Sequence, residues 1–161
     1  MKYTTLVNIE PAIKVNKGDN IIVKALKGND KVKFKETESL VNISEYDNNF
    51  ATLPSKAFSK MDYSHTPSII IDNDTSREIG EANSKSIIVV ENETLFGFGI
   101  IKPDEENETA KQLIDAINSN KIESIQVYAT KVPMSITTGG NKDNHFINSI
   151  GSIRIISINT K

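Results

Sequence analysis

Cysteine and tryptophan are absent from this 161-residue chain, histidine occurs only as His65 and His145, and arginine only as Arg77 and Arg154. Without cysteine there is no disulfide framework, no thiolate zinc site and no cysteine nucleophile. Two histidines leave little for a histidine-rich metal site, so neither a metal nor a cofactor is expected. Long hydrophobic runs are missing as well. Met1-Lys2-Tyr3-Thr4-Thr5 is not followed by an apolar stretch long enough for a signal peptide or a membrane span, and the expectation is a soluble protein made and used inside a cell, with no membrane partner. Gly97, Gly99 and the pair Gly139-Gly140 lack the strand-loop-helix context and trailing lysine of a phosphate loop; bulges or turns explain them better.

Charge is modest but uneven. The net charge is −2, yet residues 1–35 hold eight lysines against Glu10, Asp19 and Asp30, which gives +5 there and leaves −7 for the remainder. A basic segment can meet nucleic acid or an acidic protein surface. These lysines are scattered over strand-like sequence without arginine, so protein docking is the preferred reading, with Lys24, Lys31, Lys33 and Lys35 as partner-binding candidates. Contact with nucleic acid is the weaker one.

The length fits one domain with a single core. Ile21–Ala25, Val32–Lys35 and Leu40–Ile43 read as strands, separated by the turn signals Gly18-Asp19-Asn20 and Gly28-Asn29-Asp30. Pro54–Met61 predicts a short helix with Pro54 in its first turn and Ala57 and Phe58 inward. Ser68–Ile71, Ser86–Val90 and Thr94–Ile101 return to strand character, the last two joined by Glu91-Asn92-Glu93. The strongest helix signal is Asn107–Ser119. There Ala110, Leu113, Ile114 and Ile117 share one face, and Asp104, Glu105, Glu106 and Glu108 crowd the amino end, where carboxylates complement the helix dipole. That acidic cluster has no partner residues for a paired-carboxylate glycosidase or a metal site. Asn118-Ser119-Asn120 marks the stop. Ile122–Thr130 alternates as a strand, Gly139–Asn144 reads as a polar loop, and Ile153–Ile158 as a buried final strand. The expected fold is α+β: a strand-rich single domain, mainly antiparallel sheet or barrel, with one main helix near 107–119 and a short helix near 54–61.

Five segments carry a resemblance: Thr52-Leu53-Pro54-Ser55-Lys56-Ala57-Phe58, then Asn73-Asp74-Thr75-Ser76-Arg77-Glu78-Ile79-Gly80, Leu95–Ile100, Thr109–Asn120 and Ile153–Thr160. Their order and spacing, over about two thirds of the chain, resemble the prohead maturation proteases of tailed phages, whose fold is similar to that of the herpesvirus assembly proteases. In that family the first segment reads Val-x-Pro-Gly-Ala-Phe, the second approximately His-Asp-x-x-x-x-Ile-Gly, and the last Leu-x-Glu-Ile-Ser-Leu-Val-Thr. The resemblance implies a prohead-protease-like domain over residues 39–161, with residues 1–38 as a strand-rich extension packed on it.

It also implies where a catalytic site would lie, and the chain departs from the family there. Asn73 stands at the catalytic histidine, and an amide does not titrate near neutrality as a general base must. Matching the family's nucleophile strand to Ile122, Ile125 and Val127 puts Gln126 at the serine, and a carboxamide is not a usable nucleophile. The acidic position of the closing strand falls on Ile155. The resemblance, with these losses, implies a non-catalytic virion structural protein, an auxiliary or decoration protein bound to the major capsid protein or another virion protein. It would sit in the virion, and in the host cytoplasm during assembly, with self-association left open. One alternative keeps an active serine protease by relocation: Ser124 projects from the same strand face as Gln126, with His65 or His145 as base. The other is an internal virion protein that contacts DNA through its lysine-rich front.

Overall fold

The computed structural model describes residues 2–8, 12–15, 21–46, 49–62, 64, 66–79, 87–92, 95–100, 107–139 and 142–161. These residues form thirteen strands: β1 (Tyr3–Asn8), β2 (Ala12–Val15), β3 (Ile21–Lys27), β4 (Asp30–Thr37), β5 (Phe50–Leu53), β6 (Ser68–Ile71), β7 (Asp74–Glu78), β8 (Ile87–Asn92), β9 (Leu95–Ile100), β10 (Ile122–Thr130), β11 (Met134–Gly139), β12 (Lys142–Ile147) and β13 (Ser152–Thr160). One α-helix, α1 (Glu108–Asn118), and 3₁₀ turns at Ile43–Glu45 and Ser55–Phe58 complete them. Nine strands build a sheet in the order β11-β12-β5-β4-β1-β10-β13-β6-β7, and four build a second in the order β2-β3-β9-β8. The fold is α+β and strand-rich with one main helix, as the pattern predicts. The large sheet is mixed and open, with β12–β5 and β13–β6 pairing in parallel, and it does not close into a barrel.

Residues 1–38 supply β1 to β4. β1 lies between β4 and β10 near the middle of the large sheet, while β2 and β3 belong to the small one. Side chains alternate between the faces of a strand, so the register sorts them. Leu6, Phe34, Ile125, Val127, Ile156 and Ile158 belong to the main core, together with Ile21, Val23, Leu26 and Phe96 of the small sheet and Ala110 and Leu113 of α1. The opposite face carries Thr5, Val7, Ser124, Gln126, Tyr128, Ser157 and Asn159, by the pairings Thr5↔Tyr128, Val7↔Gln126, Gln126↔Ser157 and Ser124↔Asn159. This second face is covered too: Val41 and Tyr46 cluster with Val7, and Ile43 packs against them.

That cover explains one departure from expectation. Leu40–Ile43 is not a strand, because the Val41 carbonyl is engaged by side chains of the face beneath it instead of by a sheet ladder. Pro54 precedes a 3₁₀ turn, Ser55–Phe58, that buries Ala57 and Phe58, rather than opening a full helix. Of the expected loop Gly139–Asn144, Gly139 pairs with Lys142 and Thr138 with Asp143 in the β11–β12 hairpin, while Gly140 and Asn141 lie outside the described residues. Gly97 fits the bulge reading: a Cβ there would sit 2.6 Å from the Val23 carbonyl oxygen, opposite a register shift between Lys24 and Leu26.

The helix begins and ends for local reasons. Asn107 caps it by accepting from the Ala110 N–H at 3.1 Å. At the other end Asn120 takes φ 54°, and the Asn120 and Lys121 amides donate to the Ile117 and Ala116 carbonyls, the pattern of a Schellman stop. The expected turn Gly18-Asp19-Asn20, the acidic run Asp104-Glu105-Glu106, and Ser86, Glu93, Thr94 and Ile101 lie outside the described residues.

Candidate functional site

Asp72 and Asn73 join β6 to β7 in a two-residue hairpin, with φ of 53° and 56°. Positive φ at both central residues is the pattern of a hairpin whose twist matches its strands, and Asn and Asp tolerate it best among residues with a Cβ. Asparagine at position 73 therefore has a local backbone reason. The hairpin is fastened over the end of β13. Asp72 accepts from the Thr160 N–H at 2.7 Å and from Arg77 Nη1 at 3.0 Å, and the Asn73 N–H donates to Ser157 Oγ at 2.8 Å.

From this turn the Asn73 side chain reaches inward. Its Nδ2 donates to Gln126 Oε1 at 2.8 Å and to the Val41 carbonyl at 2.9 Å, and its Oδ1 accepts from the Tyr128 hydroxyl at 2.8 Å. Gln126 is fully buried. Its Nε2 donates to the Val41 carbonyl and to Tyr46 Oη, both at 3.0 Å, and its Oε1 also accepts from Asn159 Nδ2. Both donors and both acceptor directions of the amide are thus used. Asn159 extends the network to Ser124 Oγ at 3.2 Å and accepts from Ser157 Oγ at 2.9 Å.

Two positions separated by 53 residues in sequence, paired by the resemblance as base and nucleophile, are therefore in direct contact. The third position behaves differently. Ile155 stands opposite Tyr128 on the same face, half-buried, and its hydrocarbon side chain cannot join the network. Ser157 and Asn159 occupy the ground beside Gln126 instead. They were legible in principle: polar residues at alternate positions of two apolar strands, Ser124 and Gln126 facing Ser157 and Asn159, mark a shared polar face.

No family model, curated protein or solved structure matches this chain. The chemistry of the site has to be taken from its own groups. Burial raises the pKa of Tyr46, against hydrogen bonds from Thr5 and Gln126 that lower it. Burial raises Tyr128 further, reinforced by the neighbouring Tyr46. Both phenols stay neutral at ordinary pH, and beside them the network holds only amides and hydroxyls. Such groups hold one another in position; none is a base near neutrality.

The two tyrosines give the fold an alkaline signature. Unfolded tyrosines ionise near pH 10, whereas Tyr46 and Tyr128 hold their protons above it while folded. Their contribution to stability is complete below pH 10 and is lost as pH rises towards the folded values. In a phenolate absorbance titration these two tyrosines should ionise only as the structure is lost. Ionisation of all four tyrosines with the fold intact would contradict that.

Ser124 and His145 are not brought together. Ser124 is wholly buried and engaged by Asn159. His145 lies on β12, four strands from β10, or about 19 Å at the usual interstrand spacing. It also lies on the other face: Ala51 pairs with both Val32 and His145, and the His145 ring packs 5.1 Å from that of Phe34. His65 is outside the described residues. Of the lysine candidates, Lys31, Lys33 and Lys35 share one face of β4, while Lys24 sits apart on β3 opposite Ala12. Lys35 Nζ donates to the Glu45 carbonyl at 3.0 Å, and Lys33 Nζ lies 5.7 Å from the ring centre of Phe50, which is 45% exposed.

Proposed function

We propose that this chain is a non-catalytic structural protein of a phage particle, an auxiliary or decoration protein that keeps a prohead-protease-like arrangement and uses it to dock on another virion protein. One observation carries this reading: the Asn73–Gln126 hydrogen bond. Residues aligned with a catalytic base and nucleophile meet at 2.8 Å, which supports the alignment, and both are amides, which supports the loss of chemistry. Burial of Gln126 removes any route for a substrate to that point. The Lys31, Lys33 and Phe50 surface, where an ammonium group approaches an exposed ring, supports docking to protein.

Purified virions test the role. A decoration protein should be found intact and in many copies relative to the major capsid protein, whereas an assembly protease would be consumed or would cleave itself. A fluorophosphonate probe tests the chemistry and is expected to leave the protein unlabelled. Stoichiometric labelling lost in Ser124→Ala would establish the relocated-serine protease in its place.

A further inference from the structure

Two local departures from regular backbone meet at one groove. Arg154 is the extra residue of a bulge in β13: Ile153 pairs with Ala129 and Ile155 with Tyr128, which leaves Arg154 with no residue opposite. Bulges re-aim the side chains they carry. Just past the end of β10, Lys131 takes φ 53°, a conformation that is costly for a long side chain and persists only where its surroundings hold it. Gly151 holds it. The Gly151 N–H donates to the Thr130 and Lys131 carbonyls at 3.0 and 2.9 Å, and a Cβ at Gly151 would lie 2.6 Å from that of Lys131.

Both cations line a groove of about 650 Å³, with Lys2, Glu36, Val132 and Pro133 among its other walls. Lys2 already pairs with Glu36 at 3.4 Å. Arg154 is different. Its Nε is buried without a hydrogen-bond partner, and among the described residues its guanidinium makes no ion pair. Thr130, also on the groove wall, makes no bond to it, and its hydroxyl is bonded to Ser152 Oγ at 2.6 Å. A buried charged donor left without an acceptor costs its full desolvation, so an orphan of this kind points to an acceptor from outside.

We propose that the groove binds a carboxylate carried on an apolar or peptidic body. A small shift of the Arg154 side chain that uncovers Nε lets the edge of the guanidinium offer Nε and a neighbouring N–H to both oxygens of one carboxylate, the Lys131 ammonium adds charge, and Val132 and Pro133 meet the body. The groove is far larger than a bare anion needs, and Glu36 on its wall opposes a doubly charged one. This inference does not rest on the virion role.

With only two arginines in the chain, the Arg154 Nε–Hε signal is one of two in a nitrogen-edited NMR spectrum. The probes are the dipeptide acetyl-Val-Leu as free acid, the same dipeptide as its amide, and inorganic phosphate. The free acid should shift the Arg154 signal saturably while the amide leaves it unmoved. Arg154→Gln and Lys131→Gly should each weaken binding of the acid by about tenfold or more, the usual scale for a charged hydrogen bond. Lys131→Gly suits the positive φ and so removes the charge while keeping the backbone. No saturable shift, an equal response to the amide, a response to phosphate alone, or unchanged affinity in both variants would overturn the proposal.

Discussion

Replacing Gln126 with leucine is expected to destabilise the protein by about 2–6 kcal/mol. The volume is nearly kept, so the loss is not a cavity. It comes from the partners left behind: one N–H of Asn73 and one of Asn159 lose their acceptor in a buried site, at about 1–3 kcal/mol each. Gln126→Glu separates this from simple intolerance. It keeps an oxygen for Asn73 and Asn159 but turns a second oxygen towards the Val41 carbonyl, where the amide had donated. Burial would raise the pKa of that carboxyl above its unfolded value of about 4.3, so the variant should be most stable below that pH and lose stability as pH rises. Denaturant melts across pH check both. A Gln126→Leu midpoint equal to the parent's would mean that the network contributes nothing net.

Leu113→Ala should cost about 2–5 kcal/mol, from lost transfer energy and the cavity it leaves. Leu113 is fully buried on α1, and Ala110, Ile114 and Ile117 join it on the inner face. Lys111→Ala is the control. Its ammonium lies 3.4 Å from Glu108 with both side chains more than half exposed, and such pairs contribute little. Equal midpoints for the two variants would mean that the helix buries a different face.

Burial decides which elements the sequence announces and which it hides. α1 was legible because its apolar residues recur at helical spacing between an acidic amino end and the stop Asn118-Ser119-Asn120. β10 was legible by its alternation and β13 as an apolar run, and both strands are buried along most of their length. β7 and β11 were not: Asp74–Glu78 and Met134–Gly139 are the two edges of the large sheet, exposed along most of their length, so burial does not write a pattern into them. β1, β2, β5 and β12 also escaped notice, being short or rich in polar residues. At the candidate site, position-by-position matching found Asn73 and Gln126 but landed on Ile155. The polar members, Ser157 and Asn159, emerge only when two strands more than thirty residues apart are set side by side.

The placement of β1 has a consequence in time. Leu6 faces Phe34 on one side and Val127 on the other, so the middle of the large sheet is knitted from the beginning and the end of the chain. During synthesis β1 and β4 are made before β10, so one edge of β1 stays unpaired until β10 has been made. Distant pairing of this kind loses loop-closure entropy before any contact offsets the loss, and folding then runs on the order of milliseconds to seconds rather than microseconds. A bare strand edge exposed for that long invites association between nascent chains. Pairing of β10 along the free edge of β1 is the step that closes the seam.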